Sequence, residues 1–317
     1  MQLIDLYRLA IQEGMAADPR QGAEMSELLE QAKQVHDRLE GEKEKLFDAD
    51  ALWNPYADSR IVHGDPNTEV RSIMWGIDIN TPELLLADRL REKGRQIDAV
   101  IGHHPRGRAG ASLHRVMDVQ EDMMESWGVP ITTAECLVGP RAQEVMHSSH
   151  AANHARVRDA AALLDIPLMC LHQPADLLGQ RFMEEHLERE SPTRVRDVIE
   201  ALLALPEYQA MARECNPPEV FAGDKNRRAG AIAVKFAGGT SSSKDVYEYL
   251  ARAGIGTVVC MHVPKSHIEE AKKHHINIVV ASHMASDSLG TNLIADKFEE
   301  HGITIIPCSG FIRVRRK

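Results

Sequence analysis

Four short apolar runs in this 317-residue chain each stop on a histidine. They are Asp98-Ala99-Val100-Ile101-Gly102-His103-His104, Pro167-Leu168-Met169-Cys170-Leu171-His172, Thr257-Val258-Val259-Cys260-Met261-His262 and Ile278-Val279-Val280-Ala281-Ser282-His283. Each is bounded by helical pattern and reads as a short buried strand. Upstream, residues 3–13 and 25–46 carry helical periodicity, separated by Pro19. In the second segment Met25, Leu28, Leu29, Ala32, Val35 and Leu39 share one face, which predicts an amphipathic helix packed on the main body or on a neighbouring subunit. A turn-rich linker follows at 47–57. The turn Asp65-Pro66-Asn67 separates strands predicted at 61–63 and 70–79. Thr81 suits an N-cap and Pro82 a first helical position, so a helix is expected over 82–93.

The strand ending in His103-His104 leads through a polar, Gly-rich loop to a helix expected at 115–127. A second βαβ-like stretch starts at Val129, with a helix over 141–164, the strand to His172, and a helix after Asp176. Residues 189–228 carry Pro192, Pro206, Pro217 and Pro218, lack strand character, and read as an excursion with one or two helices. From Ala229 the alternation is crisp. Strands are expected at 230–237, 256–262, 277–283 and 303–312, and helices at 244–253, 265–274 and 288–300. This order predicts an α/β fold with mainly parallel strands, flanking helices and right-handed crossovers. The expected organisation is a helical N-terminal extension (1–60) and an α/β domain (61–317) of two lobes around a shared site. Lobe one takes about 61–135 plus 255–317, and lobe two about 136–254 with the 189–228 excursion.

Composition changes this picture little. The chain is 43% hydrophobic and 26% charged, and its formal net charge of −10 argues against broad nucleic-acid binding. The basic tail Arg313-Val314-Arg315-Arg316-Lys317 is short and reads as solvated. No stretch approaches the apolar length of a membrane span, and the first residues lack a signal-peptide pattern. Five widely spaced cysteines form no CxxC pair and no disulfide framework, so a reducing cytoplasm is the expected setting.

Ligands of open α/β sheets sit outside the carboxyl ends of the strands, so histidines repeated at that edge suggest a metal site. His103 and His104 are adjacent. At a strand end, where the backbone turns, two such neighbours can splay toward different metals, and Pro105 restricts His104 to extended conformations. His172 and His283 are each followed four residues later by a carboxylate, Asp176 and Asp287. Plain helix capping would account for either carboxylate taken alone. Imidazoles with carboxylates form a donor set suited to Zn²⁺, Fe²⁺ or Mn²⁺. This many ligands would serve two ions about 3.5–4 Å apart, sharing a carboxylate and a hydroxide. Asp78, ending an apolar strand, is placed to orient a ligand histidine.

Three motifs together resemble a known family. They are Gly76-Ile77-Asp78-Ile79-Asn80-Thr81-Pro82-Glu83 followed by Asp98 to His103-His104-Pro105, then Leu171-His172-Gln173-Pro174-Ala175-Asp176, then His283 to Asp287 with Ser288-Leu289-Gly290. In order and spacing they resemble the Nif-three-like dinuclear metal proteins, often labelled GTP cyclohydrolase 1 type 2-like. The resemblance covers roughly 70–188 and 229–313. It implies two divalent metal ions per chain (Zn, Fe or Mn), held by His103, His104, Asp176, His283 and Asp287. Asp176 would bridge, and His172 would be an auxiliary group. It also implies a ring-like homo-oligomer such as a hexamer. The chain departs from the family pattern twice: Asp287 stands where Glu is usual, and Gln173 where Thr is usual.

Other residues near the predicted site carry weaker readings. Cys170 and Cys260 sit two residues before His172 and His262, where buried packing is the ordinary role. His262 is expected to line the pocket, to contact substrate or to move a proton. His147, His150 and His154 share a helical spacing, with His154 the one best placed to reach the pocket. The loop Gly238-Gly239-Thr240-Ser241-Ser242-Ser243 before a helix could expose backbone N–H groups to a phosphate, or serve only as a tight turn with an N-cap serine.

The leading functional expectation is a metal-dependent hydrolase or cyclohydrolase that uses a metal-bridging water, with His172 and His262 as candidate catalytic proton carriers. Its small-molecule substrate would be nucleotide-like or phosphorylated. The alternatives are a non-catalytic, metal-loaded binding or scaffold protein, and a mononuclear hydrolase whose second site is weakened by Asp287.

Overall fold

A computed structural model of the chain describes residues 1–316. Among these residues nine strands form two mainly parallel sheets. The first holds β1 (Arg60–His63), β2 (Ser72–Gly76), β3 (Ala99–Gly102), β4 (Leu168–Cys170) and β9 (Thr304–Cys308), in the order β1-β4-β3-β2-β9. The second holds β5 (Glu219–Ala222), β6 (Ala231–Lys235), β7 (Ile255–Cys260) and β8 (Asn277–Val280), in the order β5-β8-β7-β6. Each sheet is parallel except for one antiparallel edge strand, β1 on β4 and β5 on β8. The predicted α/β class holds. No helix among the described residues is long and apolar enough to cross a membrane.

Buried side chains on both faces explain why these strands read as continuous apolar runs rather than as alternating ones. Ile73, Trp75 and Ile101 join the core under the Leu3–Ala17, Gln173–Glu190 and His283–Glu300 helices. Met74 and Val100, which point the other way, pack with Leu84, Ala87, Val157 and Ala161. In the second sheet Val258 and Ile278 face one core, and Val259 and Val279 face the other.

The sheets do not follow the expected lobe boundaries. Strand β4, expected in lobe two, pairs in parallel with β3 of the first sheet. Strands β7 and β8, expected in lobe one, belong to the second sheet. Burial on two faces gives strands of both sheets the same signature, so sequence order alone assigns them badly. The stretch after Val129, expected to open on a strand, is instead the helix Ile131–His150, followed by Ala155–Leu163. Tertiary packing overrides the local β-branched preference of Ile131-Thr132-Thr133. The 189–228 excursion contains the expected helices, Val195–Leu203 and Pro206–Arg213, and also β5, whose Glu219 and Phe221 are exposed as befits an edge.

The first helix is integral to the core. Leu3, Leu6, Tyr7, Ala10 and Ile11 are buried, and Gly14 lies against Pro174. Tyr7 Oη donates to the Ser59 carbonyl at 2.7 Å and accepts from Asn54 Nδ2 at 2.7 Å, which fixes the 54–60 loop ahead of β1. The next segment breaks into Ala23–His36 and Glu42–Lys45. Of its expected apolar face only Met25 is buried, and Val35 is 54% exposed. The basic tail is docked rather than solvated. Arg316 grips both oxygens of buried Glu207 at 2.6 and 2.8 Å, and Arg313 pairs with Asp296 and Glu299. Lys317 lies outside the described residues.

Candidate metal centre

The carboxyl ends of parallel strands from both sheets converge on one place, as the strand-end histidines predict. β3 delivers His103 and His104, β4 delivers His172, β7 delivers His262, and β8 delivers His283. Ring-centroid distances join them into one chain: 4.8 Å for His172–His103, 5.2 Å for His103–His104, 5.2 Å for His104–His283 and 4.8 Å for His283–His262. The carboxylates come from two helices that pack on each other. His172 caps Gln173–Glu190, placing Asp176 in its first turn. The last helix starts at His283 rather than at the expected 288, so His283 and Asp287 lie one turn apart on it. Ser282, at φ 78°, supports the sharp change of direction from β8 into this helix, and strain of this kind gathers at functional sites.

Three overlapping groups bring their ligand atoms within 4.8 Å of one another: His103–His104–His172, His104–His283–Asp287 and His103–Asp176–Asp287. His103 Nε2 lies 3.3 Å from Asp176 Oδ1 and 3.6 Å from Asp287 Oδ1. Asp287 Oδ2 lies 3.4 Å from His104 Nε2 and 3.5 Å from His283 Nε2. Asp287 therefore reaches both halves of the cluster. Asp176, the residue the resemblance implies as the bridge, faces His103 with one oxygen and turns the other to His172 Nε2 at 3.5 Å. Among the described residues His103 Nε2, Asp176 Oδ1 and both Asp287 oxygens are buried with no hydrogen-bond partner, so Asp287 is not a helix cap. Buried polar atoms are rarely left so, and a group of lone pairs aimed at one another is what a cation would satisfy.

The outward nitrogens of three rings are tied down. His103 Nδ1–H donates to the Leu171 carbonyl at 3.2 Å, and His104 Nδ1–H to Asp78 Oδ1 at 2.9 Å, the orienting role expected for Asp78. His172 Nδ1–H donates to Asp58 Oδ2 at 2.7 Å. Each of these rings thus turns its Nε2 inward, the arrangement that outer carboxylates and carbonyls impose on metal-binding histidines. Asp58 is a functional candidate that sequence reasoning misses. It sits in an irregular loop with no motif, and only its burial beside His172 identifies it.

Electrostatics follow from this crowding. Burial opposes charge on His103, but the Asp287 and Asp176 carboxylates outweigh it and push the imidazole up to about 10. His104 is also raised, with burial overcome by Asp287 and Asp78. Asp287 is held well below the carboxylate range, its burial overcome by His103, His104 and His283. Burial brings His262 down to about 4, aided by His283 and Lys235. His262 joins none of the three ligand groups and stands at the rim of the cluster.

The cluster opens on a cavity of about 440 Å³ whose wall includes His104, His172, His262 and His283. His154 also lines it, with Nε2–H on the Ser149 carbonyl at 2.9 Å. His147 and His150 lie elsewhere, because the helix ends at His150 and the shared face does not continue to His154. Cys170 and Cys260 are packing residues, each with its thiol pushed up to about 12 by burial, and neither joins the cluster.

A NIF3 superfamily protein from Sphaerobacter thermophilus is similar over 90% of this chain and 98% of its own, with a TM-score of 0.70 and 29% identity. The chain is NIF3-like in fold. Two other solved structures match more loosely. The protein ybgI, of unknown function, has a TM-score of 0.48 and 16% identity over 87% of this chain and 98% of its own. TTHA1606 from Thermus thermophilus has a TM-score of 0.47 and 15% identity over 80% and 89% respectively. No family model and no curated protein matches the sequence. The departure at Gln173 from the NIF3 pattern has a visible consequence. Its Oε1 accepts the Gly238 N–H at 3.0 Å and ties the second sheet's loop to the Asp176 helix.

Proposed function

We propose that this NIF3-like protein is a dinuclear metal-dependent hydrolase or cyclohydrolase acting on a nucleotide-like or phosphorylated small molecule. The observation that carries this reading is the set of buried, unpartnered donor atoms on His103, Asp176 and Asp287 beside His104 and His283, which open on the cavity. His103, Asp176 and Asp287 would hold one ion, and His104, His283 and Asp287 the other, with Asp287 shared. Zn²⁺, Fe²⁺ and Mn²⁺ all suit this mixture of imidazole and carboxylate. Two such ions would lower the pKa of a shared water toward neutrality and polarise the bond under attack.

The chain's own residues supply the rest. Asp58 and Asp78 orient His172 and His104. His172 turns Nε2 to the centre and either completes a ligand set or carries a proton. His262, brought down to about 4, is neutral at pH 7 and accepts a proton at the rim. The cavity falls within the ~300–1,000 Å³ range of small-molecule sites. Its contact with His104 and His283 favours a catalytic centre over a closed scaffold, since structural metal sites leave no face open.

The test is metal content by elemental analysis of untagged protein purified without chelator, followed by a nucleotide-hydrolysis screen with the metal found. About two ions per chain, falling sharply in Asp287→Asn, support the dinuclear reading. Asp287→Glu distinguishes the mononuclear alternative, in which a longer carboxylate restores a weakened second site and raises the content. With Asp287 already between three imidazoles, no rise is expected.

A further inference from the structure

The cavity carries a lysine that the metal centre does not use. Lys235 ends β6, and its Nζ donates to the carbonyls of Ala237 at 2.8 Å and Thr240 at 2.7 Å. That accounts for two of the three N–H bonds of an ammonium. It forms no ion pair among the described residues. An enclosed ammonium without a counter-charge is costly, and burial accordingly draws Lys235 down to about 8 although Asp176 favours its charged form.

The loop that holds this ammonium is built for the purpose. Phe236 and Ala237 N–H groups both donate to Gln180 Oε1 at 3.1 Å, and Gly238 N–H donates to Gln173 Oε1. These amides are thereby occupied, and the helix begins only at Val246, so no helix N-terminus directly follows the glycines. Its carbonyls at 237 and 240 turn to the lysine instead. Gly238, at φ 94°, has no room for a side chain, because a Cβ would meet Gln120 Cγ at 2.4 Å. Gln173 and Gln180 lie on the same helix as Asp176, so one rigid element sets both the ammonium and the metal centre. Lys235 also stands where the cavity meets a narrower apolar cleft lined by Trp127, Tyr247 and Val258.

We propose that Lys235 anchors an anionic group of the substrate, a phosphoryl or carboxylate oxygen that takes its third N–H beside the metal centre. The proposal rests on the reading of the cavity as a substrate site. It assigns the positive charge of the anion subsite to a side chain rather than to the glycine loop.

The test uses the full chain, dialysed against chelator, with inorganic phosphate and sodium acetate as probes in isothermal titration. Binding of either anion to the wild type, weakened at least about tenfold in Lys235→Met and kept in Lys235→Arg, supports the anchor, since one charge-assisted hydrogen bond is worth roughly that much. Equal binding in wild type and Lys235→Met, or no binding of either anion, overturns it. The ¹⁵N signal of Lys235 Nζ in the wild type decides independently of how the variants fold: it moves on anion addition, or the anchor is wrong. Zinc uptake measured on the same preparations keeps the two readings apart. Loss of anion affinity in Lys235→Met from a chain that takes up no zinc defeats the metal reading alone, and normal zinc with unchanged anion affinity defeats the anchor alone.

Discussion

A Cβ placed on Gly290 would lie 1.9 Å from the carbonyl oxygen of Ala175. The helices that supply Asp176 and Asp287 therefore touch backbone to backbone next to the first carboxylate and within one turn of the second. Gly179 faces Gly290 in the same contact, its own added Cβ 3.2 Å from the Gly290 nitrogen. The close approach brings two carboxylates onto one imidazole, His103. Gly290→Ala is expected to force the helices apart, cost about 1–3 kcal/mol or more as an overpacked core does, and reduce bound metal. Thermal melts with chelator present and zinc per chain check the two effects separately. Wild-type zinc content in this variant would show that the contact is not what brings the carboxylates together.

A metal held as proposed would compete with protons for the same nitrogens. With His103 raised to about 10 and His104 also raised, both rings hold protons more tightly in the metal-free chain than a free imidazole does. Zinc uptake at pH 7 is expected to release protons, and calorimetry in buffers of different ionisation enthalpy measures them. The sign of the stability change follows from linkage. His103 rises from an ordinary 6.5 to about 10 on folding, so its contribution is fully present below 6.5 and fades as pH climbs toward 10. Asp287 is depressed, so its contribution is present above the ordinary carboxylate range and fades as pH falls through its folded value. The metal-free chain should thus lose stability as pH rises from 6.5 to about 10. Flat chelator-treated melts over that window would contradict the pairing of His103 with the two carboxylates.

Much of this centre is legible in the sequence because it is made of strand ends. An apolar run that stops on a histidine places that histidine at the sheet edge, whichever sheet the strand joins. Hence His103, His104, His172, His262 and His283 can be picked out, while the assignment of β4, β7 and β8 to sheets cannot. Asp176 and Asp287 stand out as carboxylates four residues past strand-end histidines. Asp287 comes to face His103, His104 and His283 because the last helix begins at His283, where Ser282 adopts a backbone angle that nothing in Ala281-Ser282-His283 announces. Asp58 and Lys235 escape the sequence for a related reason. Asp58 acts through His172, 114 positions away, and Lys235 through carbonyls two and five residues on that only the turn of the glycine loop brings back to it, and no sequence motif announces either contact.

Asp58 offers a direct test of how far the outer residues govern the centre. Its carboxylate accepts from His172 Nδ1 at 2.7 Å and from Ser59 Oγ at 3.1 Å. Asp58→Asn keeps the size but removes the charge that holds the Nδ1–H tautomer. Outer-partner substitutions typically lower metal affinity about 10–100-fold, and a loss in that range is expected if His172 is a ligand. If His172 instead carries a proton, zinc affinity stays near wild type and any turnover falls. Competition with a chromophoric chelator measures the affinity.

The docked tail leads to a prediction about stability rather than metal. Arg316 reaches both oxygens of Glu207, which is fully buried, and Asn292 of the His283–Glu300 helix donates to the same carboxylate at 2.8 Å. Removing the guanidinium leaves a buried negative charge with one amide for company, and breaking such a pair costs about 3–5 kcal/mol. Arg316→Ala should therefore melt well below the wild type. Glu207→Gln combined with Arg316→Ala should recover part of the loss, because the charge left behind, more than the missing contact, carries the penalty. Asn292 lies more than a turn beyond Asp287 on the same helix, further from its histidine end, so zinc per folded chain should not change at temperatures where the variant is native. A variant that melts like the wild type would mean that the tail rests on the helix without holding it.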